Sequence, residues 1–467
     1  MSSWVIYNYA TMKKSYYLGL VGYLALLVLA AVYYKERIVF SDAAFYLFNI
    51  VKDGDFAIFH SRFIAVITES FPLLGVKLHL PLDTVIMLYS VGFVVFFLFC
   101  YLVAGFGFKN YGFALVILLV NMLFVTDTFY WMLSELIQAI ILMCLFFSIL
   151  NTRTFGKLSL PTIVISLVFL PILVFAHPLM VFPFGFGIAF MILHQDKYIS
   201  VKTLIFLMAM FIGVYIMKAL FATDVYDTGA TQGLKNFVTL FPDYLNQYAT
   251  RHFVKNWTIK YYWIPVSLAA ITFLYVNRKQ WLKLILVWVA FGGYALLINV
   301  SYPTDYTPDF YFENLYTPLA FILALPLVLD VFPLLEKWNL ATVTVGLIIF
   351  SFIIRIPLAG EPYVTRLNWE RQFLKNHSNE KLIVDKSTVP MDTLMMEWST
   401  PYEFWLLSTT EDERTASLII AENASVLEWA TRSQTQVLFT WGFFQYAELP
   451  ERYFKYHDST TMYRVVK

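Results

Sequence analysis

Residues 16–46 read YYLGLVGYLALLVLAAVYYKERIVFSDAAFY, an apolar run followed at once by the polar turn into Ser41-Asp42-Ala43-Ala44-Phe45-Tyr46. The apolar part, near 16 to 34, is long enough to cross a bilayer, which takes about 20 residues for roughly 30 Å of hydrocarbon. An acid where a helix leaves the membrane is costly unless water or a polar substrate meets it there. Asp42 therefore points to chemistry at a membrane surface, and the loop it opens, to about residue 81, also carries His60, Arg62 and Glu69. Met12-Lys13-Lys14 precedes the run, which is too long for a signal-peptide core and is followed by no small-residue cleavage site. A retained signal anchor is expected.

The rest of the chain is of the same kind. With 59% hydrophobic, 19% aromatic and only 14% charged residues, it is a polytopic membrane protein and not an ordinary soluble globule. A net charge of +1 supplies no field to recruit nucleic acid. Cys100 and Cys144 both lie inside apolar runs and read as small core residues, and no Cys/His cluster of zinc-site spacing exists. The apolar runs predict an α-helical bundle of about eleven spans, near 16–34, 82–104, 111–126, 134–150, 160–176, 179–194, 203–221, 261–276, 284–300, 316–334 and 340–357.

Basic residues in the short connections set an orientation. Lys13 and Lys14, Lys109, Arg153 and Lys157, Lys197 and Lys202, Arg278 with Lys279 and Lys283, and Lys337 fall on alternate connections, the side expected to be cytoplasmic along with the N-terminus. The long connections at about 35–81, 222–260 and 301–315 and the C-terminal region are then external. The predicted division is a transmembrane domain, 1–357, with external loop helices at 42–76, and a small external α/β domain, 358–467. In the latter, KLIVD (381–385), SLIIA (417–421), QVLF (436–439) and MYRVV (462–466) read as strands, with helix-compatible stretches at 391–397 and 424–432. Pro357 to Pro362 reads as the junction.

The outer side gathers the candidate site. Asp42 is either an acid in the first turn of a helix capped by Ser41 or a catalytic carboxylate. Asp127 and Glu135 flank a short turn at the same expected depth, where they either cap and pair with Arg62 or converge with Asp42. Their oxygens also make a divalent cation possible, though nothing requires one. Arg62, beside His60, offers the planar fork that matches a phosphate, or else anchors at the lipid headgroups. His177, before Pro178, is either a hydrogen-bonded turn residue or a neutral imidazole for a hydroxyl or phosphate oxygen. The aromatic and acidic loop from Tyr302 to Pro318 is part interfacial belt and part the composition of a sugar site, where ring faces stack on sugars and polar groups take hydroxyls. The loop at 222–260, with Tyr226, Tyr244, Tyr248, Trp257, Tyr261 and Tyr262, is alike.

This ordering resembles the GT-C superfamily of membrane glycosyltransferases: a short N-terminus, an acid just after the first span, a first external loop of two amphipathic helices, short connections and a C-terminal external α/β domain. The resemblance implies transfer of a hexosyl or pentosyl group from a polyprenyl-phosphate carrier to a glycan, lipid or protein acceptor on the external face of a membrane, with the bacterial cytoplasmic membrane as the expected setting. It makes Asp42 the loop-one catalytic acid and Asp127 and Glu135 the second acidic pair. Glu313-Asn314-Leu315-Tyr316-Thr317-Pro318 is similar to a donor-lipid segment in which an arginine stands where this chain has Asn314, so Glu313, Asn314 and Tyr316 join His60, Arg62 and His177 as substrate-binding candidates, and phosphate recognition shifts to Arg62. Loop one here has a single acid where such enzymes commonly carry two. A polymerase or ligase joining lipid-linked glycans shares the large external loops. A transporter would place its charges mid-membrane, and a non-catalytic scaffold would need no acids at one depth.

Overall fold

The structure, a computed structural model, describes residues 2–195, 198–222, 231–304, 308–335, 339–377, 381–412, 414–422, 436–440, 442–456 and 462–466. Asp305, Tyr306 and Thr307, Tyr226, Lys197, Lys337 and the expected helix at 424–432 lie outside the described residues.

Every apolar run expected to span is helical, but the count of about eleven spans is corrected. Among the described residues six helices are long and apolar enough to cross a membrane: Met12–Val32, Leu82–Gly107, Val201–Phe221, Trp281–Ser301, Thr317–Leu335 and Leu340–Asn376. A bent pair, Tyr248–Ile259 and Trp263–Asn277, brings the number to seven if it is one span. The runs at 111–126, 134–150, 160–176 and 179–194 make the shorter helices Tyr111–Val120, Glu135–Leu150, Leu160–Ala176 and Pro178–His194. At 1.5 Å per residue, helices of that length cover only about 15–25 Å. Every residue of Tyr111–Val120 and Glu135–Leu150 is buried within the protein. A helix apolar all round reads alike whether lipid or neighbouring helices surround it, so hydropathy overcounts the spans. Val201–Phe221 is the opposite case, with Ile205, Leu220 and Phe221 exposed on a bundle surface that lipid would cover.

At one end of the bundle, Tyr101 donates from its hydroxyl to Tyr16 O at 2.7 Å, and Ser15 pairs with Thr342 at 2.9 Å, so the first and last long helices run in the same direction. The other end carries the polar chemistry. There the chain leaves the first helix through Tyr34–Ile38 and makes two further helices, Ser41–Asp53 and Ala65–Lys77, close to the expected 42–76. Arg37 is buried in this exit. Its Nε donates to Ser90 Oγ at 2.8 Å, its Nη1 to Phe129 O, and its guanidinium lies over the Phe129 ring at 4.2 Å, which ties the exit to the Leu82–Leu102 helix and the 127–134 turn.

All four expected strands form: β1 (Lys381–Asp385), β2 (Ser417–Ala421), β3 (Gln436–Phe439) and, shortened, β5 (Arg464–Val466). β4 (Gly442–Gln445) was not expected. β1 sits centrally and parallel between β2 and β5, and β3 pairs antiparallel with β4. The parallel strands are buried along four of five residues in β1 and β2, as strands covered on both faces must be. Thr400–Glu411, a helix with no expectation behind it, supplies Phe404, Trp405 and Leu406 as cover.

The junction expected at Pro357 to Pro362 falls on Gly360, a turn residue between the helices Leu340–Ala359 and Glu361–Asn376. Pro357 and Pro362 do not break the chain there: Leu340–Ala359 and Glu361–Asn376 form one helical stretch of 37 residues. Pro362 stands in the first turn of the second part, where its missing N–H costs nothing. Gly360, between them, has helical angles, and a Cβ there would collide with the Tyr130 hydroxyl. That hydroxyl donates to Ile356 O at 3.0 Å while the ring stacks on Tyr363 at 4.6 Å.

Candidate functional site

Asp42 owes its place to the residue before it. The backbone arrives extended at Phe40, turns through a left-handed Ser41 (φ 49°) and starts the helix Ser41–Asp53, so Asp42 falls in the first turn. A non-glycine residue with positive φ costs roughly 1–3 kcal/mol and persists only where its surroundings hold it. Here the Ser41 N–H donates to Glu403 Oε1 at 2.6 Å. Asp42 itself faces the 127–134 turn, where Trp131 Nε1 donates to Oδ2 at 3.1 Å. Although part of its surface stays open, protein surrounds the carboxyl. Loss of hydration, with the charge of Glu135 second, pushes it up to about 7, against the opposing pull of Trp131 and the Arg62 guanidinium.

Glu135 is the first residue of its helix, a position favourable to an acid. Arg62 Nη1 lies 3.1 Å from its Oε2, with both side chains about nine-tenths buried. The turn that presents Arg62 is tight: His60 and Ser61 both have left-handed angles, and Arg62 N–H donates to Phe59 O at 3.0 Å. Fully buried Glu69 secures the base of this loop by accepting from Ala57 N–H at 2.8 Å, and burial pushes its carboxyl up to about 7. His177 closes the far side. Its Nδ1 accepts from Leu179 N–H at 3.1 Å, which places any proton on Nε2, and burial followed by the charges of Arg62 and Lys218 keeps it neutral. The bond from Leu179 is the one expected of a turn residue.

Asp127 does not join this group. Lys260 Nζ lies 2.7 Å from Asp127 Oδ2 and 2.6 Å from Asp309 Oδ2, and His252 Nε2 meets Asp309 Oδ1 at 2.7 Å. Burial first, then Glu313, pushes Asp127 up to about 6 in spite of Lys260. The three acids thus divide between two clusters, joined by the chain from 127 to 135 with Trp131 in its middle. A cation held by all three carboxylates is not assembled, and among the described residues no other group of three or more His, Cys, Asp or Glu side chains is arranged to hold a metal ion.

The 313–316 segment is turned inward. Glu313 accepts from the Thr126 backbone and hydroxyl, from Thr128 N–H at 2.8 Å and its hydroxyl at 2.6 Å, and from the Tyr261 hydroxyl at 3.0 Å. Asn314 accepts from the Ser134 hydroxyl, and Tyr316 donates to Asn299 Oδ1 at 2.5 Å while its ring packs on Phe253 and Phe312. These bonds tie Glu313 and Asn314 to the 126–134 turn and Tyr316 to Asn299. A mainly apolar cavity beneath that turn is lined by Arg37, Asn121, Trp131, Ser134, Ile137 and Asn314. Sequence reasoning missed Trp131, Lys260 and Asp309 around the acids and Glu403 as the acceptor of the Ser41 N–H; no spacing marks them, since each comes from a distant part of the chain.

No family model matches the sequence, and neither the curated proteins nor the solved structures contain a match.

Proposed function

We propose that this chain is a multi-pass membrane glycosyltransferase that moves a sugar, with inversion, from a polyprenyl-phosphate carrier to an acceptor hydroxyl at the external face of the membrane, the N-terminus being cytoplasmic. The observation that carries the reading is Asp42: a carboxylate of near-neutral pKa at the bundle end, beside the Arg62–Glu135 pair. A base of that strength is half ionised at neutral pH and still basic enough to take a hydroxyl proton as a bond forms, the compromise general-base catalysis favours. The acceptor O–H proton passes to Asp42, the acceptor oxygen bonds to the anomeric carbon, and the bond from that carbon to the phosphate oxygen breaks, leaving its electron pair on the phosphate. Arg62, already oriented by Glu135, supplies the planar cation for that growing charge. Glu135 also raises the basicity of Asp42. The exposed apolar helices offer a lipid-borne donor a lateral route.

The test is turnover by purified protein in nanodiscs with polyprenyl-phosphate sugars and nucleotide sugars in parallel. Turnover of lipid-linked sugar, lost in Asp42→Asn, is the expected result. Turnover of nucleotide sugar alone overturns the donor assignment, and turnover of neither across a broad panel favours a scaffold.

A further inference from the structure

We infer that residues 234–259 form a platform lying flat in the headgroup layer of the bilayer, at the same end of the bundle as Asp42, with the anionic headgroups of that bilayer as its partner. Three independent observations converge on this segment. The first is exposure: Val238, Phe241 and Leu245 are 83%, 72% and 73% exposed, with Leu234 and Val254 about half so, an apolar surface that water would disfavour. The second is direction. Tyr248–Ile259 meets Trp263–Asn277 at 87°, so if the apolar Trp263–Asn277 runs across the membrane, the polar-and-apolar helix before it runs along the plane. The third is level. Asn236 Nδ2 donates to Val300 O at 3.1 Å, which pins the segment to the last turn of Trp281–Ser301, the point where a span leaves the hydrocarbon.

The charges select the headgroup. Lys235, Arg251 and Lys255 are exposed along this stretch, against Asp243 as its one acid, and lysines and arginines at this level attract anionic lipid. The inner face is committed to the protein: Ala249, Phe253 and Asn256 are buried, and His252 pairs with Asp309. Lipid contact on the outer face therefore adjoins the Lys260–Asp127–Asp309 cluster. The inference does not depend on the proposed chemistry.

Nitroxide labels at Val238→Cys and Phe241→Cys test it, because Cys100 and Cys144 are buried and the labelled positions are exposed enough to tolerate change. In nanodiscs, oxygen should relax both labels more than a water-soluble nickel chelate does. Preferential relaxation by the chelate overturns the placement, as does shielding from both reagents, which would mean that protein covers the face. With the placement established, the paired change Arg251→Gln and Lys255→Gln should move the labels outward in anionic nanodiscs and leave them unmoved in zwitterionic ones; the same depth in all four samples overturns the choice of anionic headgroups.

Discussion

Glu403, in a helix that covers the C-terminal sheet, accepts the Ser41 backbone N–H at 2.6 Å and so holds the left-handed residue that aims Asp42. Arg366 completes the grip. Its guanidinium binds Glu403, donates to Val39 O at 2.9 Å and Leu394 O at 3.0 Å, and lies over the Phe40 ring at 4.7 Å. The C-terminal part of the chain is thereby a structural component of the site.

Removing Glu403 should be costly twice over. Glu403→Ala takes one of two buried carboxylates from Arg366, leaving Glu370 at 2.9 Å, and leaves the Ser41 N–H without its acceptor, so it is expected to destabilise by about 1–3 kcal/mol. Glu403→Gln keeps an acceptor for Ser41 but loses the charge that holds Arg366 against Val39 O and the Phe40 ring, so it should preserve insertion and a measurable melting transition in detergent while lowering turnover through a displaced 39–41 segment and Asp42. Unchanged turnover in a well-folded Gln variant would separate the C-terminal region from the chemistry.

The neighbours of Asp42 should move its pH profile in opposite directions. Glu135 raises the Asp42 pKa and Arg62 lowers it, so Glu135→Gln should shift the rising limb of activity toward acid and Arg62→Gln toward alkali. Rate against pH for the two variants and the parent checks the sign, and Arg62→Lys should weaken apparent donor affinity more than acceptor affinity because it loses the planar fork.

Stability should respond to pH in the sense opposite to activity. Asp42 and Glu69 have folded pKa values of about 7, above ordinary carboxyl values of about 3.9 and 4.3. A raised folded pKa means that the folded protein holds the proton more tightly, so this contribution is fully present below about pH 4 and is lost as pH rises through 7. Melting temperatures between pH 5 and 8 should fall with pH on this account, less steeply in Asp42→Asn and in Glu69→Gln.

Glu313 should behave as a framework residue. Glu313→Ala leaves the Thr126 and Thr128 donors without their acceptor, each buried donor costing about 1–3 kcal/mol. The expected outcome is a lower melting temperature with affinity for substrate little changed in the surviving folded fraction. A selective loss of affinity at unchanged stability would restore the substrate-binding role.

What the sequence revealed follows the range of the interactions involved. Asp42, Arg62 and Glu135 were readable because each sits at an element boundary that hydropathy marks, and the strands KLIVD and SLIIA because β-branched runs between polar residues have few other uses. The division of the acids was not readable. Asp127 goes to Lys260, 133 residues away, and Asp42 to Trp131, 89 away, and neither pairing leaves a periodic trace. Glu313 was ambiguous for a physical reason: an acid among tyrosines in an outer loop looks the same whether its oxygens face a sugar or, as here, four donors of a neighbouring turn and the Tyr261 hydroxyl. Two of the short helices, Tyr111–Val120 and Glu135–Leu150, misled because burial inside protein and burial in lipid select the same side chains.

The helical run from Leu340 to Asn376, with Gly360 alone between its two parts, has a consequence for how the chain can change over generations. A helix of 37 residues is a rod of about 55 Å, and one inserted or deleted residue turns whatever lies beyond it by about 100° and slides it by 1.5 Å. Arg366 sits on this rod, and its bonds to Val39 and Glu403 tolerate neither displacement. Length variation among descendants of this gene should be purged from the rod and should accumulate in surface loops, leaving a segment that drifts in composition but keeps its residue count.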